Sequence, residues 1–249
     1  MATGKIHIAT SGWSYSDWKG PFYPEKMKGA DMLPFYAQHF DATEINSSFY
    51  RMPRVSTVQG WVDKVPKDFR FCPKMSRYLT QMKRLKEPEE PLERFFTAFE
   101  PMTKQLGPIL IQLPPSLSFD EGVVLHLFKL LRSDYRKFEF ALEARHKSWL
   151  EELPLTILRE YDIPLVISQS GVGYPYAELL TTKNVYLRFH GPTKLFSSSY
   201  SDEMLQEYAD KIKTWSKAGH TIWAFFNNTM GMAGLNNANK LKELLGIAK

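Results

Sequence analysis

The sequence predicts an α/β protein, a single TIM-type (β/α)8 barrel occupying residues 1–249. Three observations carry that expectation. Eight short runs rich in β-branched or aromatic residues recur along 249 residues, and a barrel of this type needs about 250. Helical patterns lie between most consecutive runs. Within the runs, polar side chains gather on one of the two alternating faces, towards the C-terminal end.

The first run, IHIATS (6–11), leads into an aromatic loop, SGWSYSDWKGPFYP (11–24), and then the helical pattern ADMLPFYAQHF (30–40). DATEIN (41–46) precedes STVQGWVDKV (56–65), and FRFCPK (69–74) precedes PLERFFTAFEPMTKQLG (91–107). PILIQL (108–113) precedes DEGVVLHLFKLLRSDY (120–135), and FALEAR (140–145) precedes WLEELPLTILREY (149–161). After PLVISQ (164–169), the stretch 170–184 has the weakest helical pattern, so the sixth unit is expected to be irregular. VYLRFH (185–190) precedes SDEMLQEYADKIKTWSKAG (201–219), and TIWAFFNN (221–228) precedes the closing NNANKLKELLG (236–246). Several of these helices start at Asp or Ser and stop at Gly, as capping favours. An open doubly wound sheet is the runner-up. It usually has fewer strands, and no glycine-rich dinucleotide fingerprint follows the first run.

Composition bounds the function classes. Hydrophobic residues make up 43% and charged residues 24%, the proportions of an ordinary globular protein. No apolar run approaches the roughly 20 residues that span a bilayer, and the first residues, MATGKIHIATSGW, carry no apolar leader. A cytoplasmic protein without membrane association is expected. The lone Cys72 excludes an internal disulfide and a Cys-rich zinc site. A net charge of +5 and a pI of about 9.1 permit an anionic partner without demanding one.

Alternation selects the candidate site. In FALEAR, Ala141, Glu143 and Arg145 share one face; in VYLRFH, Tyr186, Arg188 and His190 do. Glu44 with Asn46, Gln112, and Cys72 with Lys74 fall on the corresponding faces of their runs. Barrel enzymes place their chemistry at the C-terminal face, so these groups are expected to line a pocket there. Glu143 paired with Arg145 also reads as a structural ion pair. His7 and Arg70 start their strands and read as structural, while His39, His126 and His220 read as surface residues.

The loops add binding candidates. Trp13 and Tyr15 in the first loop suit stacking on a sugar or base, or a small core plugging the mouth. His146 begins the loop after the fifth run, and Trp149 is expected to anchor the helix that follows. Tyr50, in SSFYR, and Asn227, in FNNTMGMAG, complete the rim. KMSRYLTQMKRLK (74–86) is basic throughout and favours a phosphate or carboxylate. Only His146 and His190 lie at the right end to ligate a metal, and there is no HExxH motif, so no metal or cofactor is expected.

TSGWSYSDWKGPFYP, EINSSFYRMP, FRFCPK, LGPILIQLPPS, LEARHKSW, VYLRFHGP and FNNT…NNA occur in order from Thr10 to Ala238. Together they resemble the YecE-like family, domain of unknown function 72. The resemblance implies one TIM-type barrel of bacterial or archaeal origin and no particular reaction. This chain departs from the family pattern at Ala144, Lys147, Gln81 and Gln169; at the last two, relatives carry His and Asp.

The first functional reading is an enzyme, a hydrolase or lyase working without a metal on a small anionic or sugar-like substrate. Glu44, Glu143 and His190 would be its acid–base groups. Trp13, Tyr15, Asn46, Tyr50, Lys74, Gln112, Arg145, His146, Arg188 and Asn227 would bind the substrate. The alternatives are a nucleic-acid-related protein, with the basic third loop on phosphates, and a non-catalytic ligand binder.

Overall fold

The computed structural model describes residues 3–171 and 173–247, and each of the eight runs contains a strand. The strands are β1 (Ile6–Thr10), β2 (Ala42–Ile45), β3 (Arg70–Pro73), β4 (Ile109–Gln112), β5 (Phe140–Glu143), β6 (Ile167–Gln169), β7 (Asn184–Phe189) and β8 (Thr221–Phe226). All the strand pairings are parallel. One sheet has the order β1-β8-β7-β6, and β2-β3 and β4-β5 form two more. Isolated parallel bridges Ser11–Glu44, Lys74–Leu110 and Leu142–Leu165 reach between these sheets.

The helices are α1 (Gly29–Tyr36), α2 (Ser47–Tyr50), α3 (Val55–Val62), α4 (Glu89–Ala98), α5 (Glu121–Asp134), α6 (Glu152–Glu160), α7 (Asp202–Lys217) and α8 (Ala233–Leu245). Local chemistry explains their ends. Asp120 accepts a hydrogen bond from the Val123 amide at the start of α5, and Ser201 does the same for Met204 at the start of α7. Helix α8 stops at Gly246, whose φ of 69° closes the last turn. In α5 the buried side chains Val124, Leu127, Phe128 and Leu131 repeat at helical spacing and form one buried face. Among the described residues of 170–183 there is no helix, as the weak pattern predicts. That segment is tied down by side chains instead: Glu178 accepts from Lys211 of α7 at 2.6 Å.

Strand β5 is buried at all four positions, which a sheet covered on both faces requires. At the N-terminal ends of the strands, His7 stacks on Trp223 with ring centroids 4.1 Å apart, and its Nδ1 lies 2.8 Å from Asp41. Arg70 donates to the Lys67 and Phe69 carbonyls. Both are structural there. No helix among the described residues is long and apolar enough to cross a membrane.

Candidate functional site

At the C-terminal ends of the strands lies a cavity of about 480 Å³. Seven sequence candidates line it: Asn46, Tyr50, Lys74, Gln112, Arg145, Arg188 and Asn227. Phe49, Gln81, Phe196, Thr229 and Met230 complete the lining. The lining contains two arginines, a lysine and four carboxamides, and no carboxylate.

The two glutamates lie beneath this surface. Glu44 is fully buried and receives four hydrogen bonds. Arg188 gives two of them, Nε at 2.9 Å and Nη2 at 2.7 Å; Tyr186 gives one at 2.9 Å and Ser11 one at 2.7 Å. Glu143, also fully buried, accepts from Arg188 Nη1 at 2.5 Å and from Arg145 Nε and Nη2, each at 3.1 Å. The Ser168 hydroxyl stands 3.4 Å away. Burial alone would raise the pKa of each carboxyl, but the arginines outweigh it. Glu44 is held below its ordinary value, and Glu143 well below. Both are anions across the neutral range and have no proton to give. They serve as counter-ions that hold Arg188 rigidly. Arg188 in turn stays protonated: burial works against its charge, and Glu44 and Glu143 more than restore it.

His190 is completely buried as well. Its Nδ1 faces the Asn227 amide nitrogen at 3.0 Å, and its Nε2 lies 3.4 Å from Glu143. Nδ1 accepting and Nε2 donating is the tautomer that serves Asn227 and Glu143, although Arg188 Nη1, a donor, also lies 3.4 Å from Nε2. Burial first, and Arg188 second, push its pKa down, so the ring is neutral. Asn227 passes the order on, accepting from Asn46 at 3.2 Å. The three groups assigned to acid–base work, Glu44, Glu143 and His190, therefore sit behind the cavity wall. Arginine and asparagine side chains form the surface in front of them.

Arg145 is the cation that reaches the cavity most openly, its side chain 12% exposed. Tyr174 positions it: the guanidinium lies 4.0 Å from that ring's centre, and Nη1 donates to the hydroxyl at 3.1 Å. Lys74 follows directly after β3. Its Nζ donates to Gln112 Oε1 at 2.6 Å and sits 3.8 Å from the centre of the Phe49 ring. Burial, and then the nearby Arg188, lower its pKa to about 7, against the opposing pull of Glu143 and Glu44.

Three binding candidates lie elsewhere. Trp13 packs edge-on against Trp61, and Tyr15 packs on Trp18 and donates to the Ser11 carbonyl. Trp18 and Tyr23 are fully buried and Trp13 and Tyr15 half-buried against their neighbours, so the first loop packs as a small core. It is pinned across the fold by Trp18 Nε1 donating to the Gly231 carbonyl at 2.9 Å. The reason is burial: the large rings of Trp13, Tyr15, Trp18, Phe22 and Tyr23 cover more apolar area by meeting one another than by facing water. His146 caps the 3-10 turn Lys147–Leu150 through Ser148, and does not line the cavity. Trp149 is buried in that turn and donates to the Leu117 carbonyl at 3.0 Å.

Tyr174, Phe196, Thr229 and Met230 had no signal in the sequence beyond lying after a strand. Of the four departures from the family pattern, Gln81 lines the cavity, whereas Gln169 accepts from Tyr200 outside it. Among the described residues, no three His, Cys, Asp or Glu side chains gather as a metal site.

Comparison with known proteins places this geometry in a family. The model described as "Protein of unknown function DUF72" matches residues 7–249. UPF0759 protein YecE of Escherichia coli K12 is 25% identical over 84% of this chain and 82% of its own length. A DUF72 family protein of known structure from Thermotoga maritima is 30% identical, with a TM-score of 0.84 over 97% of this chain and 99% of that one. A second, from Enterococcus faecalis, has the same TM-score at 21% identity, covering 98% and 96%.

Proposed function

The chain belongs to the DUF72 family of proteins of unknown function, and from that premise we propose that its cavity binds a small anionic ligand through Arg145, with the buried Arg188 behind it. The observation that carries the reading is the sorting of charge. Cations and carboxamides line the cavity, while both carboxylates are buried behind it and saturated by hydrogen bonds. A site of this kind attracts a carboxylate or phosphate and offers amide groups to its carbonyl or hydroxyl oxygens. Tyr50, Phe196 and Met230 give the mouth an exposed apolar rim for the rest of the molecule.

The reading takes the chain as a single domain whose eight strands form one (β/α)8 ring. Its support is the β1–β8 pairing together with the three bridges between sheets. The cavity would then lie at the C-terminal mouth, where barrel enzymes work. A protein using Glu44 or Glu143 as general acid is not part of the proposal, because each is held ionised. Nor is nucleic-acid binding by the third loop favoured: Lys83 there is engaged by Glu87, and Arg84 by Ser116.

A thermal-shift screen with matched pairs tests the reading: pyruvate against acetone, and glucose 6-phosphate against glucose. A ligand at 100 times its Kd stabilises by about 2.7 kcal/mol, which is about 5–10 °C for a chain of this size. Anions should raise the melting temperature and their neutral partners should not. Equal responses within each pair would refute the proposal.

A further inference from the structure

We propose that Lys74 is a nucleophilic amine that forms an imine with the carbonyl carbon of a small 2-oxo acid held in this cavity. The inference rests on the anion-binding reading, with Arg145 holding the carboxylate.

The placement of Lys74 is the first argument. Its backbone is fixed at the end of β3: the amide donates to the Ile45 carbonyl at 2.9 Å, and the carbonyl accepts from Ser48 Oγ at 2.7 Å. The side chain is buried, yet Lys74 lines the cavity together with Arg145 and Arg188, and its Nζ is held by two other lining residues, Gln112 and Phe49. Charge balance is the second argument. Arg145 and Arg188 already neutralise Glu44 on β2 and Glu143 on β5. A protonated Lys74 would be an extra cation beside two guanidiniums in a buried site. No carboxylate stands within ion-pair distance of it among the described residues; its nearest acceptor is the neutral Gln112 amide oxygen. Phe49 favours the ammonium form through its ring face, but that attraction is smaller than the cost of burying an uncompensated charge. The depressed pKa of about 7 agrees with this balance. The third argument is hydrogen bonding. A neutral amine can donate one N–H to Gln112 and keep its lone pair for an electrophile. Desolvation beside other cations is a general way to make a lysine nucleophilic at neutral pH.

The step balances without a redox partner. The amine lone pair forms an N–C bond to the carbonyl carbon as the C=O π pair moves to oxygen. A proton transfers from nitrogen to that oxygen, giving a carbinolamine. The oxygen then leaves as water after taking one proton from solvent at the open mouth. The product is a protonated imine. Glu44 and Glu143, both held ionised, supply no proton.

The test treats the intact protein with glyoxylate, pyruvate or 2-oxobutyrate and sodium cyanoborohydride at pH 7, followed by peptide mass mapping. A free lysine of pKa about 10.4 is almost wholly protonated at pH 7, so the neutral, reactive fraction of Lys74 should exceed that of a surface lysine by on the order of a thousandfold. The expected result is one adduct per chain, on Lys74, and none at that position in Lys74→Arg. Adducts spread over surface lysines, or no Lys74 adduct with any of the three acids, would overturn the proposal. Thermal shifts with the same acids separate the two ideas. Stabilisation without an adduct leaves anion binding standing and removes the imine. Trace acetylation with acetic anhydride needs no ligand. A Lys74 reactivity midpoint near pH 7 supports the inference, and a midpoint near that of exposed lysines contradicts it.

Discussion

Replacing Arg188 with methionine should unfold the site from beneath. Arg188 donates three hydrogen bonds to Glu44 and Glu143, and all three side chains are wholly buried. Without the guanidinium, Glu44 keeps only two hydroxyl donors, Ser11 and Tyr186, and Glu143 keeps Arg145. Removing one partner of a buried ion pair costs about 3–5 kcal/mol; Glu44 is left with no ion pair among the described residues and Glu143 loses one of its two arginines, so the upper end applies. At about 2–4 °C per kcal/mol for this chain length, the melting temperature should fall by about 10–20 °C at pH 7. The deficit should depend on pH. In the wild type the depressed carboxyl pKa values stabilise the fold above the unfolded value, and that contribution is lost as pH falls through the folded values. In Arg188→Met, burial dominates and raises at least the Glu44 pKa, so the variant regains stability by taking up a proton. The difference from wild type should therefore shrink between pH 7 and about 4.5. Adding Glu44→Gln to Arg188→Met should recover part of the loss at pH 7. Calorimetric melting across that pH range is the assay. A variant melting within about 2 °C of wild type at pH 7, or a deficit that ignores pH, would refute the counter-ion account.

Arg145→Gln should weaken binding of a stabilising anion by about tenfold or more, read by titration calorimetry. Its stability cost should be smaller than that of Arg188→Met, about 1.5–3 kcal/mol, because Glu143 retains Arg188. Lys74 gives a pH slope of the same sign as the glutamates, but in an alkaline window. Its folded pKa of about 7 lies below the unfolded value, so its burial penalty is fully present below pH 7 and is relieved as pH rises towards 10.5. At about 1.36 kcal/mol per pH unit, urea titrations of wild type minus Lys74→Met should climb by up to about 5 kcal/mol over that window; a flat difference would show an ordinary lysine. Trp18→Ala, in the buried first loop, should cost about 3–5 kcal/mol of stability yet leave anion affinity in the folded fraction unchanged. Lost affinity without lost stability would return that loop to the binding surface.

The sequence made the faces legible but not the depths. Alternation brought Tyr186, Arg188 and His190 together, and the structure joins the first two to Glu44 and the third to Glu143. Alternation also put Gln112 on the same side as Lys74, and the two are bonded. A residue two positions earlier on a strand lies about 6–7 Å further along it. Glu143 therefore sits under Arg145, and Glu44 under Asn46, although each pair shares a face. Which carboxylate is buried follows from partners more than 40 residues away in the chain, and no local pattern encodes that. The aromatic loop shows the same limit. Its composition fits both an exposed platform and a closed cluster, and contacts such as Trp18 with Gly231 decide between them. Tyr174 was hidden because the 170–183 stretch has no periodicity to place it.

The most direct test of the account is a crystal structure of the protein grown with the anion that stabilises it most. The account predicts electron density for the acidic group against the Arg145 guanidinium, within reach of Asn46 and Asn227, with Glu44 and Glu143 still bound to Arg188. Density for the anion only outside this cavity, or a carboxylate of Glu44 or Glu143 turned into it to meet the ligand, would contradict it.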